Sequence, residues 1–286
     1  MIKDKQLYLL IPGKNPGWVK RRLSMPALSA LAISVGLILV PAQESIADNN
    51  FRITPFGQLS IAQKEHDFDQ LLDQDLSFYM LHAGAGFVAG DAFLAINGAW
   101  SLSDASVSEE EETGDASRTD YDLTIGYNLT EHFTLFGGYK AGETDIDYRV
   151  RDFDEDSGSD RFNDNFKEAG PYVGVSWQHF FDNASKVSIS LAYAWLDAKN
   201  DLGEKPDADE ENGEDEFEFD DFTGRVDSDA NGFSVGVRWS IPLDEKLSYY
   251  ALFRIQRYDQ DLEQRGTEVS ITEQFTELGM GLTYVF

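Results

Sequence analysis

Apolar residues and small or polar residues alternate along much of the chain from residue 51 onward. In residues 118–129, every second side chain from Tyr121 to Leu129 is large and apolar, and those between them are Asp, Thr, Gly and Asn. Because successive side chains of a strand point to opposite faces, this period of two predicts a β-strand with one apolar face. Ten segments of the sequence show the pattern, which predicts an all-β fold. They are about 51–62, 76–88, 92–103, 118–129, 133–144, 167–180, 187–197, 233–241, 247–258 and 273–286.

The connections between these segments alternate between short and long. The short ones have the sequences AGD, TEH, DNAS and PLDEK, and the long, polar ones cover about 63–75, 104–117, 145–166, 198–228 and 259–272. Such alternation is typical of a transmembrane, antiparallel, up-and-down β-barrel. A soluble β-sandwich or lipocalin-like barrel is the alternative, with its apolar faces inside. Large Trp, Tyr, Phe and Leu faces opposite faces of Gly, Ser and Thr favour the membrane barrel, with the apolar face outward.

The last segment, EQFTELGMGLTYVF, carries a more specific signal. It resembles the closing strand of bacterial outer-membrane β-barrels, which end in Phe with Tyr or an apolar residue two places before it. The resemblance implies that Tyr284 and Phe286 form the signal read by the barrel-assembly machinery. It also implies a Gram-negative outer membrane, lipid and lipopolysaccharide as partners, periplasmic termini, extracellular long loops and a monomer. The chain is similar in kind to the small OmpA, OmpX and opacity barrels, although these have eight strands.

The N-terminal residues predict a signal peptide over residues 1–47. Lys20, Arg21 and Arg22 precede an uncharged run at 27–40, and the small residues of Ser45-Ile46-Ala47 occupy the two cleavage-site positions before a cut after Ala47. The alternative is a membrane anchor, but the run is shorter than the roughly 20 residues that span a membrane. Because a signal peptide rarely needs residues 1–18, we hypothesise that translation starts at Val19. The barrel then covers residues 48–286.

Composition narrows the function further. The 286 residues contain no Cys, which excludes disulfides, thiolate metal sites and thiol nucleophiles. The formal net charge of −29 argues against nucleic acid as a partner, because phosphate binding needs a basic surface. Acidic runs concentrate in the long connections, at 109–112, 152–160 and 207–221. Such runs are typical of a solvated surface, or of one bridged by divalent cations to anionic lipopolysaccharide.

The acidic connections also contain weak candidate calcium ligands. Alternating carboxylates precede a Gly in two runs, and a third run begins like an EF-hand loop but has Arg238 where a bidentate Glu belongs. We expect no dedicated metal site or cofactor, and at most weak divalent cation binding by the loops. The candidates are Asp152, Asp154, Asp156, Asp207, Asp209, Glu211, Asp227, Asp229 and Asn231.

A few charged residues fall on the small, inward face of the predicted strands, and they decide what kind of barrel this is. A ten-stranded barrel is narrow enough for side chains to fill, and buried charges need partners. One interpretation is a plugged lumen held rigid by a charge network, and the other is a narrow water-filled pore lined by the same charges. The residues are Asp122, Lys140, Arg238, Arg254 and Glu277.

Some outer-membrane barrels are enzymes, among them omptin proteases, phospholipases and lipid A acylases or deacylases. Omptins share the ten-strand count and need acidic residues and a His at the outer rim. His66 is the one His in a long connection, beside Asp67 and Asp69, while His82 faces inward, His132 lies in a turn and His179 lies near a strand end. No catalytic residue is carried over, and we expect no enzyme. The sequence predicts a structural or surface-interaction role in the cell envelope, or alternatively a narrow porin-like channel for small cations or solutes.

Overall fold

The computed structural model describes residues 8–12, 18–22, 53–69, 75–109, 112–150, 161–203, 224–264 and 267–286. The chain divides into two compact units, Met1–Ala30 and Leu31–Phe286. In the first unit, strands β1 (Tyr8–Pro12) and β2 (Trp18–Arg22) form an antiparallel hairpin. The rest of the predicted signal peptide lies outside the described residues, so the signal peptide stays a prediction. Within the described ranges, no helix is long and apolar enough to cross a membrane.

The second unit is a sheet of eleven strands within the described residues, and all of its pairings are antiparallel. The strands are β3 (Ile53–Asp69), β4 (Leu76–Ala89), β5 (Ala92–Ser101), β6 (Ala105–Glu109), β7 (Glu112–Asn128), β8 (Phe133–Val150), β9 (Arg161–Phe180), β10 (Lys186–Leu202), β11 (Gly224–Pro242), β12 (Leu247–Gln264) and β13 (Thr267–Val285). Strands that follow one another in the chain pair with each other, except that β5 and β6 both pair with β7.

Two pairings close this sheet into a barrel. The closing strand β13 pairs with β3, from Val285 opposite Phe56 to Thr272 opposite Asp69. Strand β5 pairs with β7, and β6 then pairs with the far part of β7 after a break at residues 102–104. Because β5 and β6 form one interrupted barrel strand, the described residues make a closed barrel of ten strands. The predicted fold class and strand number are confirmed.

The short connections are tight turns that lie together at one end of the barrel, the short-turn end. Gly90 reverses the chain between β4 and β5 with a φ of 61°, a conformation that favours glycine. Between β11 and β12, the Asp244 carboxylate accepts hydrogen bonds from the backbone N–H groups of Lys246 and Leu247, each at 2.7 Å. These hydrogen bonds hold the pKa of the Asp244 carboxyl below its ordinary value.

Large apolar side chains cover the outer surface of the barrel over the part nearest the short-turn end. In β7, Leu123 and Ile125 are 47% and 61% exposed, and Tyr121 and Tyr127 lie on either side of them. An apolar outer band with aromatic residues at both edges is typical of barrels that cross a bilayer. We call this part the membrane segment. The predicted outward orientation of the apolar faces is therefore confirmed.

The strands continue past this band, and there the two faces exchange their chemistry. In β8, the outward side chains change from apolar, ending at Tyr139, to charged, as at Glu143 and Asp147. The inward side chains change in the opposite sense, and Ile146 and Tyr148 are buried. We call this part of the barrel, which leads to the long connections, the extension.

The predicted limits of the long connections were wrong, because the extension consists of strands. Each predicted strand ends where the outward face stops being apolar, although the chain remains extended and paired beyond that point. The residues concerned are 63–69, 105–109, 112–117, 145–150, 161–166, 198–202, 224–228, 259–264 and 267–272.

An apolar cluster fills the interior of the extension. Its members face inward from several strands and are almost fully buried, as in an ordinary water-soluble protein core. We call this cluster the apolar plug. Its larger members are Leu76, Phe78, Met80, Val107, Ile146, Tyr148, Phe162, Phe166, Leu202, Val226, Leu262 and Ile271.

Candidate functional site in the barrel lumen

A cluster of buried charges lies between the apolar plug and the interior of the membrane segment. Arg118 is its centre: its guanidinium donates to Asp120 Oδ1 at 2.8 Å, to Glu168 Oε1 at 2.9 Å and to Thr144 Oγ1 at 2.7 Å. Lys64 Nζ donates to the other oxygen of Asp120 at 2.7 Å. Arg118, Lys64 and Glu168 are almost fully buried, so these contacts offset the cost of removing the charges from water.

His66 and Glu273 extend this cluster toward the plug. His66 Nε2 lies 3.1 Å from Glu273 Oε2, and its ring stacks on Phe275 with 3.9 Å between the centroids. The same Phe275 ring lies under Lys64 Nζ at 4.5 Å and under the Arg118 guanidinium at 4.3 Å. One aromatic ring therefore supports two cations and an imidazole, a cation–π arrangement that stabilises them away from water. We call Lys64, His66, Arg118, Asp120, Lys140, Glu168 and Glu273 the ion cluster.

Two of the predicted lumen residues, Asp122 and Lys140, are cross-strand neighbours but do not form an ion pair. Asp122 instead accepts hydrogen bonds from Tyr172 Oη and Thr124 Oγ1, both at 2.6 Å, and from Asn97 Nδ2 at 3.1 Å. Lys140 donates to Tyr258 Oη at 2.8 Å and lies 3.4 Å from Glu168 Oε1. Neutral donors therefore hold the Asp122 carboxylate, and Lys140 belongs to the ion cluster.

The structure brings Arg254 and Glu277 together and places Arg238 apart from them. Arg254 Nη1 lies 3.8 Å from Glu277 Oε2. Arg238 lies nearer the short-turn end, where its guanidinium stacks 3.7 Å from the Tyr250 ring and donates to Thr283 Oγ1 at 3.1 Å. All five predicted residues face inward, but they occupy two levels of the lumen rather than one network.

Below the ion cluster the lumen contains a cavity of about 120 Å³, which we call the chamber. Four of the predicted residues line it: Asp122, Lys140, Arg254 and Glu277. His82 also lines it and is 2% exposed. Its Nε2 lies 3.5 Å from Glu277 Oε1, and among the described residues neither of its ring nitrogens makes a hydrogen bond.

Two aromatic rings lie against the inner wall of the barrel on the short-turn side of the chamber. Phe93 packs on Gly126 and Phe136 packs on Gly174, so closely that a Cβ added to either glycine would overlap the ring. Both positions require glycine because the Phe ring of the paired residue on the neighbouring strand lies directly over the glycine backbone. The chamber therefore lies between the apolar plug on one side and these rings on the other.

Most residues of the ion cluster are absent from the lumen residues predicted from the sequence. The predicted long connection at 63–75 includes Lys64 and His66, yet both lie in β3 and face inward. Arg118, Asp120 and Glu168 lay inside or next to predicted strands, and their even spacing with Asp122 and Tyr172 was a signal that could have placed them in the lumen. His66 is buried beside Glu273 rather than exposed at a rim, so its prediction as a loop residue was wrong.

Three of the candidate calcium ligands lie within the described residues, and there the chain forms a strand rather than a loop. Asp227, Asp229 and Asn231 lie in β11 and face outward, and Asp227 accepts from Arg225 Nε at 2.9 Å. A strand spaces alternate side chains along a line, so these three do not form the EF-hand-like loop that the sequence suggested. The other six candidates lie outside the described residues. Within the described ranges, no group of three or more His, Cys, Asp or Glu residues could hold a metal ion.

The remaining predicted residues keep their expected positions. His82 faces inward, His132 lies in the turn before β8 and His179 faces outward near the end of β9. At the C-terminus, Tyr284 and Phe286 both face outward with 5.1 Å between their ring centroids, and Phe286 N donates to Pro55 O at 3.0 Å. Their role as an assembly signal stays a prediction.

Three solved structures illustrate what the barrel is similar to. The outer membrane protease OmpT from Escherichia coli matches with a TM-score of 0.50 and 13% identity, over 82% of this chain and 94% of that one. The translocator domain of the autotransporter NalP from Neisseria meningitidis matches with a TM-score of 0.43 and 11% identity, over 82% and 89% of the two chains. The β domain of the Bordetella autotransporter BrkA matches with a TM-score of 0.44 and 12% identity, over 82% and 99%.

In sequence, no protein-family model and no curated protein matches the chain. The closed ten-strand barrel, its apolar outer band and the likeness to OmpT nevertheless agree on one architecture. At this level of identity the likeness concerns the fold alone. This chain has the fold of a bacterial outer-membrane β-barrel protein.

Proposed function

We propose that this protein is a non-conducting barrel of the outer membrane with a structural or surface-interaction role. The membrane segment anchors it, and the extension carries the long connections beyond the lipid on the cell surface. Envelope integrity, adhesion and shielding are roles of this kind. We expect it to need no cofactor and to have no enzymatic activity.

The apolar plug is the observation that carries this proposal. It fills the extension with Phe, Leu, Ile and Tyr side chains, so an ion would have to cross a dry core before it reached the ion cluster. The buried rings of Phe93 and Phe136 lie against the inner wall on the other side of the chamber. An ordinary packed interior favours rigidity over transport.

The acidic outer surface of the extension supports a role outside the cell. Outward carboxylates such as Glu143 and Asp145 on β8 and Asp201 on β10 lie on either side of β9, where a surface that met lipid would be apolar. Charged residues there keep the extension solvated and hold its strands away from the bilayer. The proposed orientation places the long connections outside the cell, and the short-turn end with both termini of the barrel chain in the periplasm.

Conductance across a planar bilayer separates this proposal from the narrow channel, which the chamber and its charges favour. We expect the purified, refolded protein to insert without discrete current steps. A triple variant, Phe78→Ala, Ile146→Ala and Leu262→Ala, removes much of the plug and should conduct ions. The outward change Tyr79→Ala is the control and should give no current. Regular openings of the unmodified protein would overturn the proposal and support the channel.

Labelling of single cysteines tests the orientation separately, because the natural chain has no Cys. Asp201→Cys in the extension should react with a membrane-impermeant maleimide on intact cells. Asp244→Cys at the short-turn end should react only after the outer membrane is permeabilised. The reverse pattern would contradict the proposed orientation.

A further inference from the structure

The chamber has the features of a small-molecule site that neither the anchoring nor the surface role requires. A lumen that served only rigidity would be filled, because packed interiors leave few voids larger than a water molecule. Here about 120 Å³ stays open at the level where all ten barrel strands contribute lining residues. That volume approaches the roughly 150 Å³ of an engineered cavity that binds benzene.

One polar side chain points into this space without a hydrogen bond. His82 is 2% exposed, and within the described residues both of its ring nitrogens lack hydrogen-bond partners. Its nearest ionic neighbour, Glu277 Oε1, lies 3.5 Å from Nε2, which is long for a hydrogen bond. A buried imidazole of this kind is costly unless something in the cavity completes its hydrogen bonding.

The charges around the chamber restrict what could occupy it. Three cationic side chains and three carboxylates line it, so the described lining is balanced. A ligand with a net charge would add an uncompensated charge among buried groups whose charges already balance, which is unfavourable. The lining charges are Lys64, Lys140, Arg254, Asp120, Asp122 and Glu277.

The remaining lining offers hydrogen bonds to a neutral solute. Tyr172 on β9 and Tyr258 on β12 present hydroxyl groups, and Ser190 and Ser234 present hydroxyls from the two strands between them. Ala192, on β10, leaves the space between them open. We propose that the chamber binds a small solute without net charge that carries both hydrogen-bond donors and acceptors, with His82 as one contact.

The histidine side-chain NMR spectrum of the full-length, refolded protein tests this inference. Glycerol and urea are the neutral probes, acetate and methylammonium are the charged comparators, and each is present during refolding from guanidinium chloride. We expect glycerol or urea to produce a saturable shift of the His82 resonance, which is assigned through His82→Gln, and the charged probes to produce none.

Two variants distinguish binding in the chamber from binding elsewhere. Ala192→Leu fills the chamber and should weaken the response to the probe at least about tenfold. Ala83→Leu adds the same atoms to the outer surface of β4 and should leave the response unchanged. Heat-modifiable gel migration shows that each variant is folded. Absence of a saturable shift, an equal response in Ala192→Leu, or preferential binding of acetate or methylammonium would overturn the inference. The bilayer measurement is unaffected by this result.

Discussion

The membrane segment and the extension use the same strands in opposite ways. Along β8, odd-numbered residues face outward throughout, but they are Phe133, Leu135 and Tyr139 in the membrane segment and Glu143 and Asp147 in the extension. The barrel wall is continuous while the surrounding solvent changes from lipid to water. Strand alternation therefore identifies which residues share a face, and the chemistry of that face identifies the medium that it meets.

The boundary between the two regions explains where the ion cluster lies. On the extension side of this boundary, apolar side chains fill the barrel, and on the short-turn side the inward residues are mostly small or polar. At this boundary, charged side chains from different strands meet inside the lumen and form ion pairs with one another. The cluster therefore joins a water-soluble barrel to a membrane barrel at the point where the interior changes character.

The largest difference in the free energy of unfolding should come from substitutions at two adjacent residues of β4 that face opposite sides of the barrel wall. Phe78 is fully buried in the plug, and Tyr79 is 52% exposed on the outer surface. Phe78→Ala should lower the free energy of unfolding by about 3–5 kcal/mol, because it leaves a cavity in a packed core. Tyr79→Ala should cost clearly less, as measured by denaturant unfolding in lipid vesicles. Equal effects would contradict a packed interior in the extension.

Removal of the central cation of the ion cluster should lower the free energy of unfolding by a similar amount. Arg118→Met leaves Asp120 and Glu168 without their shared partner in a buried site, which should destabilise the barrel by about 3–5 kcal/mol. The control is Arg149→Met, because Arg149 pairs with Asp115 at 3.0 Å on the exposed surface. If both variants unfold at the same denaturant concentration, the cluster does not stabilise the boundary.

A charge placed on the outer surface should distinguish the two regions directly. Ile125→Arg puts a guanidinium among the lipid chains and should cost about 2–4 kcal/mol. Asp145→Arg makes an outward change in the extension, and it should alter the free energy of unfolding by only about 0.5 kcal/mol. Vesicle-based unfolding measures both, and a large penalty at residue 145 would place the extension within the bilayer.

The smallest effect should come from an ion pair on the surface of the extension. Lys167 Nζ lies 3.0 Å from Glu143 Oε1, and both side chains are exposed. Lys167→Ala should lower the free energy of unfolding by about 0.2–1 kcal/mol, and the difference should shrink as salt is added. An effect as large as that of Arg118→Met would show that this surface is not in contact with water.

The sequence was sufficient for the strand number and for the direction of the outward faces. Ten segments with a period of two, such as Tyr121 to Leu129 in β7, predicted the strand number, and their large apolar faces opposite small or polar ones predicted the outward direction. The extension was missed because the prediction equated the outward face with the apolar one. At Ile146 and Tyr148 the apolar side chains turn inward, and the chain there looks like a polar loop with scattered apolar residues.

The pairing within the lumen could not be predicted for a different reason. Residues such as Lys64 and Asp120, or Arg118 and Glu168, lie far apart in the chain, and they meet through the register and stagger of a closed barrel. The odd or even position of a residue along its strand shows that its side chain points inward. It does not show which side chain across the lumen that residue contacts. Hence Asp122 and Lys140, neighbours in register, take other partners.

The exchange of solvents along one strand is tested most directly by a cysteine scan of β8, since the chain contains no natural Cys. Single cysteines replace the outward residues Leu135, Tyr139, Glu143 and Asp147 and carry a nitroxide spin label in lipid vesicles. Collision with oxygen, which concentrates in lipid, should dominate at 135 and 139, and collision with a water-soluble nickel reagent should dominate at 143 and 147. Lipid-like accessibility at 147, or water-like accessibility at 135, would contradict the division into membrane segment and extension.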